Sequence, residues 1–201
     1  MQAALRTGTN FSKAGSARQF LQIVNLTSNP TMISQANPRV EEALRADSGY
    51  VPGLFAAALV REQSGNYPEA KKLYEQVLER YPRFVPSTRN LAILYADHLD
   101  DSRTGYRLAT EARRTLPEDV ELAKALGKFA YWRGEYQYAA QLLKEVLQHK
   151  GADAEAYYYL GMSQHRLKQK ADSAASLHQA LALHLDAKQA TEAERVLAEL
   201  K

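Results

Sequence analysis

The sequence predicts an all-α fold, a right-handed solenoid of stacked antiparallel helical hairpins, and three observations predict it. Small residues return with a period of about 34. Each period holds two amphipathic runs parted by a tight turn. Leu and Ala dominate the apolar set, which is 45% of the 201 residues and so favours helix over strand.

Ala58, Ala92, Gly127 and Gly161 lie 34, 35 and 34 residues apart. Ala36, Ala70, Gly105, Ala139 and Ser173 step by 34, 35, 34 and 34, and Ala43, Val77, Ala112, Val146 and Ala180 do the same. The one extra residue falls between Tyr95 and Gly105, within DHLDDSR, so a turn lengthens there while the helices keep register. Inside a period, Leu54, Ala57, Ala58 and Arg61 recur at helical spacing until Gly65-Asn66 stops the run. A second face follows through Ala70, Leu73, Tyr74, Val77 and Leu78, and ends at Tyr81-Pro82. The stretch GNYPEAKKLYEQVL at 65–78 returns as GEYQYAAQLLKEVL at 134–147. A lone hairpin cannot bury both stripes, so successive hairpins must stack.

The units read 17–50, 51–84, 85–119, 120–153 and 154–187, with a closing helix at 188–200 and a single domain running from residue 16 to 201. Residues 1–15 are polar and glycine-spotted and are expected to be flexible. The first unit is degenerate: Thr31 stands at the turn-glycine position, and Asn37-Pro38 is expected near the start of a helix, where a missing N–H costs little. Asp100 and Asp101 occupy the lengthened turn, where aspartate caps the next helix. In the last stretch Asp186 is a candidate cap, and Ala190, Ala193, Val196, Leu197 and Leu200 form a stripe expected to close the stack against water.

Several classes of chemistry find no support. The absence of cysteine excludes disulfides, thiolate zinc sites and cysteine nucleophiles. His98, His149, His165, His178 and His184 form no metal-ligand spacing, so no metal and no cofactor are expected. Glu41-Glu42 and Asp100-Asp101 are adjacent pairs whose side chains diverge on a helix, which suits no acid–base couple, and no G-x-S-x-G occurs. The chain reads as no enzyme. The net charge of +3 comes from interspersed charges without a run of four Lys or Arg, so nucleic acid is not an expected partner. No apolar run reaches the length of a membrane span, and the start lacks a signal-peptide core. Cytoplasm and periplasm both stay open, as does a place within a longer chain.

The repeat resembles the tetratricopeptide family. Leu126-Gly127, Gly134, Tyr136, Ala139 and Val146 match one unit of its pattern, Leu160-Gly161, Ser173, Leu177 and Ala180 match the next, and Pro82 and Pro117 sit at closing positions. The resemblance implies close helix packing at Ala58, Ala70, Ala92, Gly105, Gly127, Ala139 and Gly161. It also implies a concave groove lined by first helices. The matching positions are Phe55 and Leu59, then Arg89, Asn90 and Ile93, then Lys124, Lys128, Tyr131 and Trp132, then Tyr158, Met162, His165 and Arg166. Leu59 and Ile93 could equally be core, and Trp132 could serve the turn. Of the three consecutive tyrosines, Tyr157 is expected in the core and Tyr158 at the groove.

The expected function is a protein-interaction module holding a peptide segment or a neighbouring domain, the alternative being a structural spacer. With Lys124 and Lys128 one turn apart beside Arg89, Arg166 and the aromatics, the expected partner is acidic with an apolar anchor. The lysine–asparagine pattern of the family's peptide-end clamp does not occur at these positions.

Overall fold

The computed structural model describes residues 33–200. Among these residues there are ten helices and no strand. They are α1 (Ile33–Ala46), α2 (Val51–Gln63), α3 (Tyr67–Arg80), α4 (Val85–His98), α5 (Ser102–Arg113), α6 (Val120–Trp132), α7 (Tyr136–Lys150), α8 (Ala154–Arg166), α9 (Lys170–Ala182) and α10 (Ala187–Leu200). The lead-in at 1–15, Thr31 and the first half of unit 17–50 lie outside the described residues. The sequence reads as one array, whereas the chain divides into two compact units that meet at Ser87 and Thr88, within α4.

Local chemistry explains where the helices begin. Asn66, Asp101, Asp119 and Asp153 each accept a hydrogen bond from the backbone N–H three residues on, at 3.4, 3.0, 2.9 and 2.9 Å. That bond satisfies one of the N–H groups that a first helical turn leaves unpaired. Pro38 departs from the expectation for a first turn: it lies inside α1, well past Ile33. There proline gives up a helix-ladder N–H rather than an orphan one.

One turn geometry is used three times. Gly65 N–H donates to Glu62 O and Asn66 N–H to Arg61 O, at 3.0 and 2.8 Å. Gly134 and Glu135 repeat this pair on Tyr131 and Ala130, and Lys168 and Gln169 repeat it on His165 and Gln164. The pairing is a Schellman motif, which needs a left-handed residue at its pivot. Gly65 and Gly134 supply it with φ of 75° and 80°, while Lys168 adopts 61° with a side chain in place.

In the first unit, α1, α2 and α3 bury Val40, Ala56, Ala58, Ala70, Tyr74 and Val77 completely. The Tyr74 hydroxyl donates to Glu62 at 2.6 Å, so the buried ring keeps a polar outlet. In the second unit the core runs through Leu122, Phe129, Leu143, Val146, Leu177 and Ala180 to Ala193 and Val196 of α10. Small residues set the helix spacing: Ala92 and Ala139 have no accessible surface. A Cβ at Gly161 would come within 2.7 Å of Leu177 Cγ and 3.1 Å of the Leu177 backbone nitrogen. At such sites backbone itself limits the approach, and an added methyl must push helices apart.

Candidate functional site

The expected groove residues fall in both units. In the first, Phe55 is half-buried between Tyr74 and Phe84, with ring centroids at 5.9 and 5.4 Å, and Leu59 is half-buried. The remaining candidates lie in the second unit on α4, α6 and α8.

The basic candidates are bound within the fold. Arg89 forms a two-pronged bridge to Asp119 and donates to Asn90 at 3.0 Å, which occupies both as well; Ile93 is half-buried beside them in sequence. Lys124 lies 3.3 Å from Asp153 and 3.5 Å from Glu155. Lys128 is only 3% exposed and reaches Asp97 at 2.7 Å and Glu155 at 2.6 Å. Its ammonium also lies 5.8 Å from the Trp132 ring and 5.7 Å from that of Tyr159. Burial pushes its pKa down, but Asp97 and Glu155 outweigh that and hold it above the ordinary lysine value. Two cations read as facing an acidic partner are therefore spoken for. A cation with internal carboxylates has little to offer an external one.

Asp119 and Asp153 show the same balance from the other side. Burial raises each carboxyl, but hydrogen bonds and cations outweigh it: Arg89 and the Leu122 N–H at Asp119, the Ala156 N–H and Lys124 at Asp153. Both pKa values end below the ordinary carboxylate range. A depressed folded pKa stabilises the fold above the unfolded value and loses that contribution as pH falls through the folded one. Stability should thus be level above about pH 5 and fall below about pH 4. Asp153→Asn should lower the neutral-pH midpoint in urea and flatten this acid limb; an acid limb as steep as in the wild type would assign it to other groups.

The aromatic candidates come together. Tyr131 and Trp132 at the end of α6 meet Tyr159 of α8 edge-to-face, at 5.4 and 5.9 Å, and Tyr158 meets Tyr159 at 5.1 Å. With Asp186 and the first turns of α10 they line a cavity of about 640 Å³. Trp132 is 43% exposed there. Tyr158 and Tyr159 are mostly buried, and burial drives both phenols far above the ordinary tyrosine pKa. Tyr157 is only half-buried, so the core and groove assignments of the tyrosines differ from those expected. The reason is that α8 is packed by α6 on one side and α10 on the other, which covers Tyr158 and Tyr159 together. Met162 is buried as well. His165 stands 3.8 Å from Glu199, with Nδ1 buried and lacking a hydrogen-bond partner. Arg166 is exposed and stacks toward Tyr136 at 6.0 Å.

Sequence reasoning missed the contribution of α10. Asp186, Gln189 and Glu192 line the cavity although that helix read only as a cover for the stack. The available signal was register, since Asp186 caps α10 as Asp119 caps α6 and Asp153 caps α8.

The model of the tetratricopeptide repeat family matches residues 53–83 and 155–184. Each of these two stretches matches a tetratricopeptide repeat. No curated protein matches it. Among solved structures, this repeat protein resembles YrrB, at a TM-score of 0.68 and 19% identity over 88% of this chain and 90% of the other. It also resembles MamA of Desulfovibrio magneticus RS-1, at 0.66 and 12% over 82% and 94%. A further MamA structure gives 0.70 and 15% over 84% and 98%. These likenesses are of fold. Among the described residues of the repeat protein no group of His, Asp or Glu could hold a metal, and no helix is long and apolar enough to cross a membrane.

Proposed function

We propose that the chain is a protein-interaction module that takes an extended peptide segment of a partner along the first-helix face of its second unit. One observation carries the reading: the half-buried Tyr131 and the exposed Trp132 of α6 line an open cavity together with the largely buried Tyr158 of α8. Rigid aromatics of this kind contribute the most binding area for the least ordering cost. YrrB, described as a tetratricopeptide protein with an unusual peptide-binding site, supports a peptide as the occupant. The apolar anchor expected of the partner is retained. Its acidic residues are not, because Lys124 and Lys128 are held internally.

The chain holds a single tryptophan, so fluorescence of Trp132 reports directly on this cavity. A random library of extended nonamer peptides selected on the wild-type chain should yield binders that change this fluorescence. Their affinity should fall at least about tenfold in Tyr131→Ala, as for an interface hot spot. Selected peptides that bind Tyr131→Ala as well as wild type, with no fluorescence change, would move the site elsewhere. No enrichment at all would favour a spacer.

A further inference from the structure

The repeat presents one slot four times, between a position on a first helix and the residue that precedes the next first helix. Phe55 and Phe84 fill it in the first unit with a T-shaped ring pair. In the second unit Arg89 and Asp119 fill it with a two-pronged salt bridge. Lys124 and Asp153 fill the next with an ion pair at 3.3 Å. In the last copy the register puts Tyr158 where Arg89 and Lys124 stand, while the cap is again an aspartate, Asp186.

Asp186 therefore keeps the anion of the pattern and lacks its cation. Its carboxylate accepts the N–H groups of Lys188 and Gln189 at 3.0 and 3.1 Å and forms no salt bridge among the described residues. The exposed Lys188 side chain on the same rim is not paired with it. Glu192, the other carboxylate of the cavity, is held by Arg195 at 2.7 Å. Asp186 shares the lining of this cavity with Tyr131, Trp132, Tyr158 and Tyr159. Aromatic rings beside a carboxylate favour a cation, which the rings attract through their quadrupoles and the carboxylate by charge. The same chain already uses this combination: Lys128 sits between carboxylates and over Trp132 and Tyr159.

We infer that the cavity receives the side chain of an arginine or lysine from a basic peptide segment, which supplies to Asp186 the cation that Arg89 and Lys124 supply to Asp119 and Asp153. The inference rests on the peptide-binding reading above and names the residue the peptide must carry. It opposes the sequence-based expectation of an acidic partner.

The test uses the full chain and the nonamers selected on it. Selection should enrich Arg or Lys at one position next to an apolar residue. Replacing that residue by citrulline or norleucine should weaken binding about tenfold, the size of a desolvated charge-assisted contact. Asp186→Asn should weaken the basic peptide to a similar degree while leaving the citrulline or norleucine version unchanged, and added salt should shrink the difference. Asp186 is an exposed cap and asparagine caps as well as aspartate, so the variant should fold. Selected peptides that are uncharged or acidic, still sensitive to Tyr131→Ala but indifferent to Asp186→Asn, would overturn the cation while leaving the peptide site standing. Basic peptides equally tight on Asp186→Asn and wild type would overturn it too. Absence of any binder would overturn both.

Discussion

Gly105→Ala should cost about 2 kcal/mol or more, although alanine gains roughly 1 kcal/mol over glycine in a helix interior. Gly105 lies within α5, and a Cβ there would sit 2.2 Å from the Phe129 ring and 2.8 Å from Tyr95 Cβ. Neither neighbour can yield easily. Phe129 has no accessible surface and Tyr95 is 4% exposed, so a displaced ring would have to move other core atoms. Gly127 makes the contrast: a Cβ there meets Leu143 Cγ and Cδ2 at 3.0 and 3.1 Å, a looser approach than either contact at Gly105. Gly127→Ala should therefore cost less than Gly105→Ala, while Gly127→Leu should still destabilise by roughly 1–3 kcal/mol through overpacking. Urea melts followed by circular dichroism compare the variants directly. Equal midpoints for wild type and Gly105→Ala would mean that the close approach of Tyr95 and Phe129 to Gly105 does not hold in solution.

Lys128→Ala should be the second large loss, about 2–4 kcal/mol. Breaking one side of a fully buried ion pair costs roughly 3–5 kcal/mol, and the figure is reduced here because solvent screens the partners. The Asp97 and Glu155 side chains are 33% and 28% exposed, against 4% for that of Lys128. Loss of the four-carbon stem from the aromatic cluster adds to the electrostatic term. In register, the same position is Ile93 one repeat earlier and Met162 one repeat later, so an apolar side chain suits the backbone there. Lys128→Met should thus be milder than Lys128→Ala. Adding Asp97→Asn to Lys128→Met should recover part of the loss, because it removes the carboxylate left behind. If the double variant is no more stable than Lys128→Met alone, the bridge to Asp97 carries no net energy and the lysine matters only for its stem. The sign with pH follows from its raised pKa: its contribution is present at neutral pH and is lost as pH rises through the folded value, beyond about pH 10.

Sequence alone carried the hairpin period and the all-α class. Both follow from local signals: apolar stripes at helical spacing, aspartate or asparagine before α3, α5, α6, α8 and α10, and glycine in the turns after α2, α6 and α7. Even the slip between Tyr95 and Gly105 was legible, because a longer turn leaves the register of each helix intact. Tertiary structure alone decided which first-helix residues face solvent. Lys124 and Lys128 look identical to free groove lysines when only their own helix is considered; their carboxylates come from Asp97 on α4, Asp153 before α8 and Glu155 on α8. Tyr158 and Tyr159 are buried because α10 covers α8 from the far side, which no periodicity within α8 reveals. Gly105 is irreplaceable for a similar reason: it lies between Tyr95 and Phe129, whereas the position in register with Phe129 one repeat later is Ser163. Backbone geometry is written in neighbours along the chain, but ion pairs, ring contacts and cavities depend on side chains some thirty residues apart, and only stacking brings those into reach.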